Sequence, residues 1–238
     1  MSRTVAYALE FVLHTLEFSP DDTFVPETEQ ALGEQLTADP NPKDMFATIV
    51  WNDEKHSFDE VARHLCDTLG KSAEDAANIV DTVDEQGRDV VDISPLNSRV
   101  LENAKAIAHI DIGVTVRGAY DTFQEQLSDV IIEWMLDLSK CRIGTDRTLL
   151  REVIAMELFS LRKRDTTATM TTGYATDNDG FPSEVENPTR IDWLFILHSR
   201  LWKRPRLNLK ELYVSVLTLS SAHRLTVGTC SVLQFSLY

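Results

Sequence analysis

Asn52, Asp53 and Glu54 stop a short apolar β-type run dead, in the stretch FATIVWNDEKHSFDEV of residues 46–61, and a helical pattern starts directly after them. At a strand end the backbone leaves the sheet ladder, so Asn52 and Asp53 can accept hydrogen bonds from a ligand; the plainer reading of the same pair is an Asx-type helix start. Downstream, Ile79, Val80 and Val83 lead to Asp84 and the break Gln86-Gly87. Val80, Val83 and Asp84 share one helix face by the i, i+3, i+4 rule, as do Phe58 and Val61 in the earlier segment. Two segments thus each offer apolar side chains beside a carboxylate, which suits a ligand with a cationic head and an apolar side chain. A peptide beginning with a bulky hydrophobic residue is such a ligand. Core packing is the alternative for any one of these apolar residues.

Other candidates for chemistry are weaker. His64 and Cys66 lie two apart, so a helix turns them to different faces and no nucleophile and base result. His56 and His64 are eight apart and lack a third ligand at metal spacing, and neither a phosphate-cradling glycine loop nor a GxSxG elbow occurs. Cys66, Cys141 and Cys230 are odd in number and far apart, so they encode neither a disulfide framework nor a CxxC zinc cage and read as buried or inert thiols. Arg162-Lys163-Arg164 could attract an acidic partner, but a helix C-terminus or a solvated face accounts for it as well.

The net charge of −15 is unevenly placed: residues 1–93 hold 21 Asp and Glu against 6 Lys and Arg, whereas residues 94–238 hold 17 of each. The acidic segment contains the candidate site. Its field opposes phosphate backbones and favours amines or basic peptides, which argues against nucleic acid. No apolar run approaches a membrane span, and the first helical pattern carries Glu10, His14 and Glu17, unlike a secretory signal core. The expected setting is cytoplasmic or nuclear.

The elements that must position the site follow from periodicity. An amphipathic helix over 4–18 needs a partner surface, and a Pro- and acid-rich connector with a weak helix around 27–36 follows it. A compact unit then reads strand 46–51, helix 58–69, helix 72–84, strand 88–93, helix 95–109 and strand 112–116, with Ser57 and Ser72 as N-caps and Pro95 in a first turn. Beyond Gly118 the pattern is helical. In 119–138 the stripe Phe123, Leu127, Val130, Ile131, Trp134 and Leu138 is expected to face the core, and 147–161 repeats it through Leu150, Val153, Ile154, Leu158 and Leu161. Residues 165–188 read as a mobile surface loop, and helices resume at 191–202 and 207–219.

From Phe46 to about Val116 this order, together with the run Asn52-Asp53-Glu54 and the turn Gln86-Gly87-Arg88, resembles ClpS, the bacterial adaptor for N-terminal degradation signals. The form NDEKH, and Asp84 where the bacterial adaptor has histidine, resemble more closely the ClpS-like domain of eukaryotic UBR-family ubiquitin ligases, the N-recognins. Weaker similarity runs along the helical flanks, at Leu150 to Val153 and in LKELYVSVLTLSSAHRLTV. The resemblance implies an α+β fold: a ClpS-like β-α-α-β-α-β sandwich over 43–118 in a mainly helical scaffold, flanked by 1–42 and 119–238. It puts Asn52, Asp53 and Asp84 at a peptide α-amine, Glu54 and His56 at the pocket entrance, and Phe58, Val61, Val80 and Val83 around the side chain of a first residue of the Phe, Tyr, Trp, Leu or Ile class. Phe58 and Val80 stand where the bacterial adaptor has methionines, which alters the cavity.

The function implied is substrate recognition in an N-degron ubiquitin ligase, by binding rather than bond making. The alternative is a ClpS-like scaffold without peptide binding; a further rival is carboxylate chemistry at Asp53 and Asp84, for which the sequence supplies no nucleophile. No cofactor is expected in these residues. Zinc, the UBR box, the RING module and contact with a ubiquitin-conjugating enzyme are expected elsewhere in a parent ligase, whose other domains would be partners; neither nucleic acid nor a membrane is.

Overall fold

The apolar run 45–51 is flanked in space by two more strand-forming segments, and this fixes the centre of the molecule. The computed structural model describes residues 1–19, 25–28, 30–31, 45–95, 98–162 and 188–220. Strand β1 (Met45–Trp51) lies between β2 (Arg88–Pro95) and β3 (Val114–Gly118), antiparallel to both. Register runs from Met45 opposite Pro95 to Trp51 opposite Arg88, and it shifts at Thr48/Ile49, where β2 holds the extra residue Val91. Period-two alternation gives β1 two working faces. Phe46 and Val50 point into one apolar cluster; Ala47, Ile49 and Trp51 share the opposite face with Arg88 and Arg117.

Helices α2 (Phe58–Leu69), α3 (Ala73–Gln86) and α4 (Ser98–Ala108) complete the first cluster with Leu65, Ile79, Val83, Leu101 and Ile107. Ser72 caps α3 by accepting the Asp75 backbone N–H at 3.0 Å, whereas Ser57 makes no side-chain cap bond to α2. Gly70 and Gly87 end α2 and α3 with φ of 65° and 101°. The observed order β-α-α-β-α-β is the expected α+β, ClpS-like arrangement. Pro95 closes the edge strand β2 opposite Met45 instead of opening α4, a position a proline without an N–H tolerates.

A second cluster joins α1 (Ser2–Phe18) to α5 (Ala119–Lys140), α6 (Leu149–Leu158), α7 (Arg190–Leu197) and α8 (Lys203–Ser220). Val5, Leu9, Val12, Leu13 and Leu16 of α1 are the partners of Ile132, Met135, Ile154 and Leu194. A short 3₁₀ turn, His198–Arg200, separates α7 from α8, so the expected single helix 191–202 is broken there.

The face that α5 buries differs from expectation. Phe123, Leu127, Val130 and Trp134 are exposed, with Tyr120 beside them, and Ile131 and Leu138 are only partly buried. The buried side carries Thr122, Glu125, Ser128, Asp129 and Ser139 beside Ile132, Met135 and Leu136. Hydrophobicity alone selects the wrong stripe, because the inner face is polar and its charge is neutralised in space: Glu125 accepts from Arg88 at 2.5 Å and from Arg117 at 2.6 Å. Leu161 is likewise exposed.

Arg162 lies neither at a cap nor on a solvated face. Its guanidinium is buried, donating to Glu17 at 2.9 and 3.0 Å and to Glu10 at 3.1 Å, and it thereby ties α1 to the segment after α6. Cys141 is exposed and Cys66 half-buried, so neither is a core thiol. The expected weak helix beyond residue 31, the loop over 165–187, Lys163, Arg164 and Cys230 lie outside the described residues.

Candidate functional site

The end of β1, the first turn of α2 and the middle of α3 converge because β1 hands its chain to α2 through a tight turn. Asp53 builds that turn. Its Oδ1 accepts the Lys55 backbone N–H at 2.8 Å, and its Oδ2 pairs with Nδ1 of His56. Burial alone would push the Asp53 carboxyl up, but the His56 and Lys55 hydrogen bonds and the neighbouring positive charge outweigh it and hold it below the usual carboxylate value. The simple Asx-type role is therefore real, and it leaves lone pairs on both oxygens for a further donor. Asn52 donates its backbone N–H to the Gly87 carbonyl at 2.9 Å, which pins the strand end to the α3 terminus. Its side chain is exposed and has no partner among the described residues.

These residues line one cavity of about 50 Å³, and the sequence candidates Asn52, Asp53, His56, Phe58, Val61, Val80, Val83 and Asp84 all border it. Leu65, Ile79 and Val83 make an apolar floor with Ile112, while Phe58, 49 % exposed, stands at the rim. Asp84 is exposed, its Oδ1 3.7 Å from the Lys203 ammonium, which also donates to the Asp84 backbone carbonyl at 2.5 Å. The arrangement combines an apolar pit with carboxylates at its mouth, and both carboxylates already have an internal cation nearby.

Glu54 falls elsewhere. It is exposed and borders a second, larger cleft of about 500 Å³, which shares Trp51 and Asn52 with the pit. Sequence reasoning missed Trp51, Leu65 and Ile112 as pit residues. Leu65 was accessible in principle, since Phe58, Val61 and Leu65 step along one helix face; Ile112 comes from a distant segment and carries no local signal. Lys203 and Trp202 were also missed, because only tertiary structure brings α8 to the strand end.

His64 turns its Nε2 to the carbonyl oxygens of Ala106 and Ile107, at 2.9 and 3.2 Å, and Cys66 Sγ points to the Ser72 carbonyl, so the two do not meet. Among the described residues no three His, Cys, Asp or Glu side chains stand together as a metal site, and no helix there is long and apolar enough to cross a membrane.

The family model described as ATP-dependent Clp protease adaptor protein ClpS matches residues 41–110, the span that contains β1, α2, α3, β2, α4 and the pit-forming residues of all but β3's approach. The chain carries a ClpS-like domain. Similarity extends beyond this domain: over 172 residues, 65 % of the chain, it is 27 % identical to the E3 ubiquitin-protein ligase ubr1 of Schizosaccharomyces pombe. That match covers 8 % of the ligase, so the chain corresponds to a small part of this relative's length. The similarity to this ligase runs past the ClpS-like domain, in the direction that the NDEKH form and Asp84 led us to expect.

Proposed function

We propose that this chain is a substrate-recognition part of an N-degron ubiquitin ligase, and that it binds the free α-amine and bulky hydrophobic side chain of a protein's first residue. The observation that carries the reading is the pit, apolar at its floor and carboxylate-lined at its mouth, within a ClpS-like domain. The Phe, Tyr, Trp, Leu or Ile side chain enters between α2 and α3, against Phe58, Val61, Val80 and Val83. The amine faces Asn52, Asp53 and Asp84, with His56 behind Asp53 and Glu54 meeting the chain as it leaves. Nothing is cleaved or joined here; the RING and zinc modules and the contact with a ubiquitin-conjugating enzyme belong to other parts of the ligase, acting in the cytoplasm or nucleus.

Labelled peptides differing only in residue one test this. Phe- or Leu-initiated peptides should bind roughly 10- to 150-fold more tightly than a Gly-initiated one, because burying such a side chain is worth about 1.5 to 3 kcal/mol. An Arg-initiated peptide should be weak. N-acetylation of the Phe peptide deletes the charge and donors of an amine whose pKa is about 7.7 to 8, and should abolish most of the affinity. The pairing of Asp53 with His56 and the approach of Lys203 to Asp84 favour a second reading, a scaffold whose pit no longer takes peptides. Equal binding of all four peptides, or an acetylated peptide within twofold of the free one, would decide for it.

A further inference from the structure

The chain is strongly acidic, yet the larger cleft beside the pit is basic. Arg117, Arg200, Lys203 and Arg206 border it against the carboxylate of Glu54, with Glu125 paired to Arg117 and Asp84 near Lys203 just outside the lining. Two of these guanidinium groups are incompletely paired: the Nε atoms of Arg117 and Arg206 are buried and have no hydrogen-bond partner among the described residues. Arg117 is only 7 % exposed and already donates to Glu125 at 2.6 Å, so it adds positive field from beneath the cleft, while the exposed Lys203 and half-buried Arg206 stand nearer its surface. The volume of about 500 Å³ is that of a ligand-sized recess. Trp51 and Asn52 border both cavities, and Lys203 of the cleft touches Asp84 of the pit.

Resting on the degron reading above, we infer that this cleft is the subsite for the second to fourth residues of the bound peptide, and that it selects acidic side chains there. An extended chain advances about 3.3 to 3.6 Å per residue, so a peptide leaving the pit across Asn52 reaches the cleft within a few residues. A carboxylate there meets donors that match it in charge and in forked geometry. The inference runs against the molecule's overall field, and this makes it discriminating: a net charge of −15 by itself would favour a lysine-rich tail.

The test is an anisotropy titration of the full chain with four peptides of common C-terminal sequence, beginning Leu-Ala-Ala-Ala, Leu-Glu-Glu-Glu, Leu-Lys-Lys-Lys and Gly-Glu-Glu-Glu. The expected result is Leu-Glu-Glu-Glu tighter than Leu-Ala-Ala-Ala by about five- to tenfold at low salt, shrinking toward parity in roughly 1 M salt, with Leu-Lys-Lys-Lys weakest. Glu54→Gln, an exposed change, should widen the Glu-to-Ala ratio; Arg206→Gln should narrow it. Leu peptides that bind irrespective of the tail, or best with lysine, would overturn the subsite while leaving the pit standing. Leu peptides that bind no better than Gly-Glu-Glu-Glu would remove the degron reading and the subsite with it.

Discussion

Asp53 serves its own turn and, in our proposal, the ligand. Asp53→Asn keeps an oxygen for the Lys55 N–H but loses the charge, so we expect circular dichroism to be unchanged and affinity for a Phe-initiated peptide to fall by about 1.5 to 3 kcal/mol. Because its hydrogen bonds depress the Asp53 pKa, the carboxylate persists below the ordinary value of 3.8 and is lost only as pH falls through the lower folded value. Peptide affinity measured against pH should hold down to about pH 4 on this account and decline above about pH 8, where the peptide amine loses its proton. Phe58 supplies a size test. The pit's 50 Å³ is far below the roughly 150 Å³ of a cavity that accepts benzene, so an aromatic ring enters only if the exposed Phe58 rim moves out, and Trp, the largest, requires the greatest movement. Phe58→Ala should therefore improve Trp-initiated peptides relative to Leu-initiated ones in a competition titration; an unchanged ratio would show that Phe58 does not limit the pit. At this scale most of the candidate lining was legible, since local breaks and i, i+3, i+4 spacing mark Asn52, Asp53, Phe58, Val61, Val80, Val83 and Asp84. Glu54 was assigned to the same mouth, but the turn at Asp53 swings it to the neighbouring cleft.

Secondary elements were legible where apolar periodicity and burial agree. Strand β1 and helices α2 and α3 lie close to their expected spans, because a buried strand and two capped, amphipathic helices state their own pattern. Helix α5 shows where that agreement fails: its inner face is held by charge pairing that only the fold assembles, with Arg88 from β2 and Arg117 from β3 meeting Glu125. Burial pulls the Arg88 pKa below its ordinary value, and the adjacent Glu125 carboxylate opposes this. Glu125→Ala would leave two buried guanidinium groups without their hydrogen-bonded carboxylate, with Asp129 near Arg88 and Asp121 near Arg117 remaining as anions, and urea denaturation should record a loss of about 3 to 5 kcal/mol. A change below 1 kcal/mol would mean that water or other acceptors replace Glu125 readily.

At the scale of the whole molecule, the ClpS-like unit and the helical cluster meet at the site itself. Arg88 is stacked on Trp202, its guanidinium carbon 3.4 Å from the ring centroid, with Trp51 at 5.3 Å on the strand side. Gly87, at φ 101°, approaches Lys203 so closely that an added Cβ would lie 2.7 Å from the Lys203 backbone nitrogen. Gly87→Ala should lower stability by more than about 1 kcal/mol and change the tryptophan fluorescence through Trp51 and Trp202. Retained stability with unchanged emission would show that the two parts do not bear on each other there. None of this contact was legible in the sequence, since Gln86-Gly87 and Trp202-Lys203 are far apart in the chain and neither segment specifies the other.

The close approach at Gly87 also constrains how such a chain can diverge. A substitution that places any side chain there cannot be accommodated by the ClpS-like unit alone, because the atoms it meets are the Lys203 Cβ at 2.6 Å and the Lys203 main-chain nitrogen at 2.7 Å, both fixed by the backbone of α8. Descendants that keep the helical neighbour should keep this glycine, and lineages that lose it should show α8 shifted or Trp202 replaced in the same step. The turn before β2 is thereby a joint on which the inheritance of two halves is coupled.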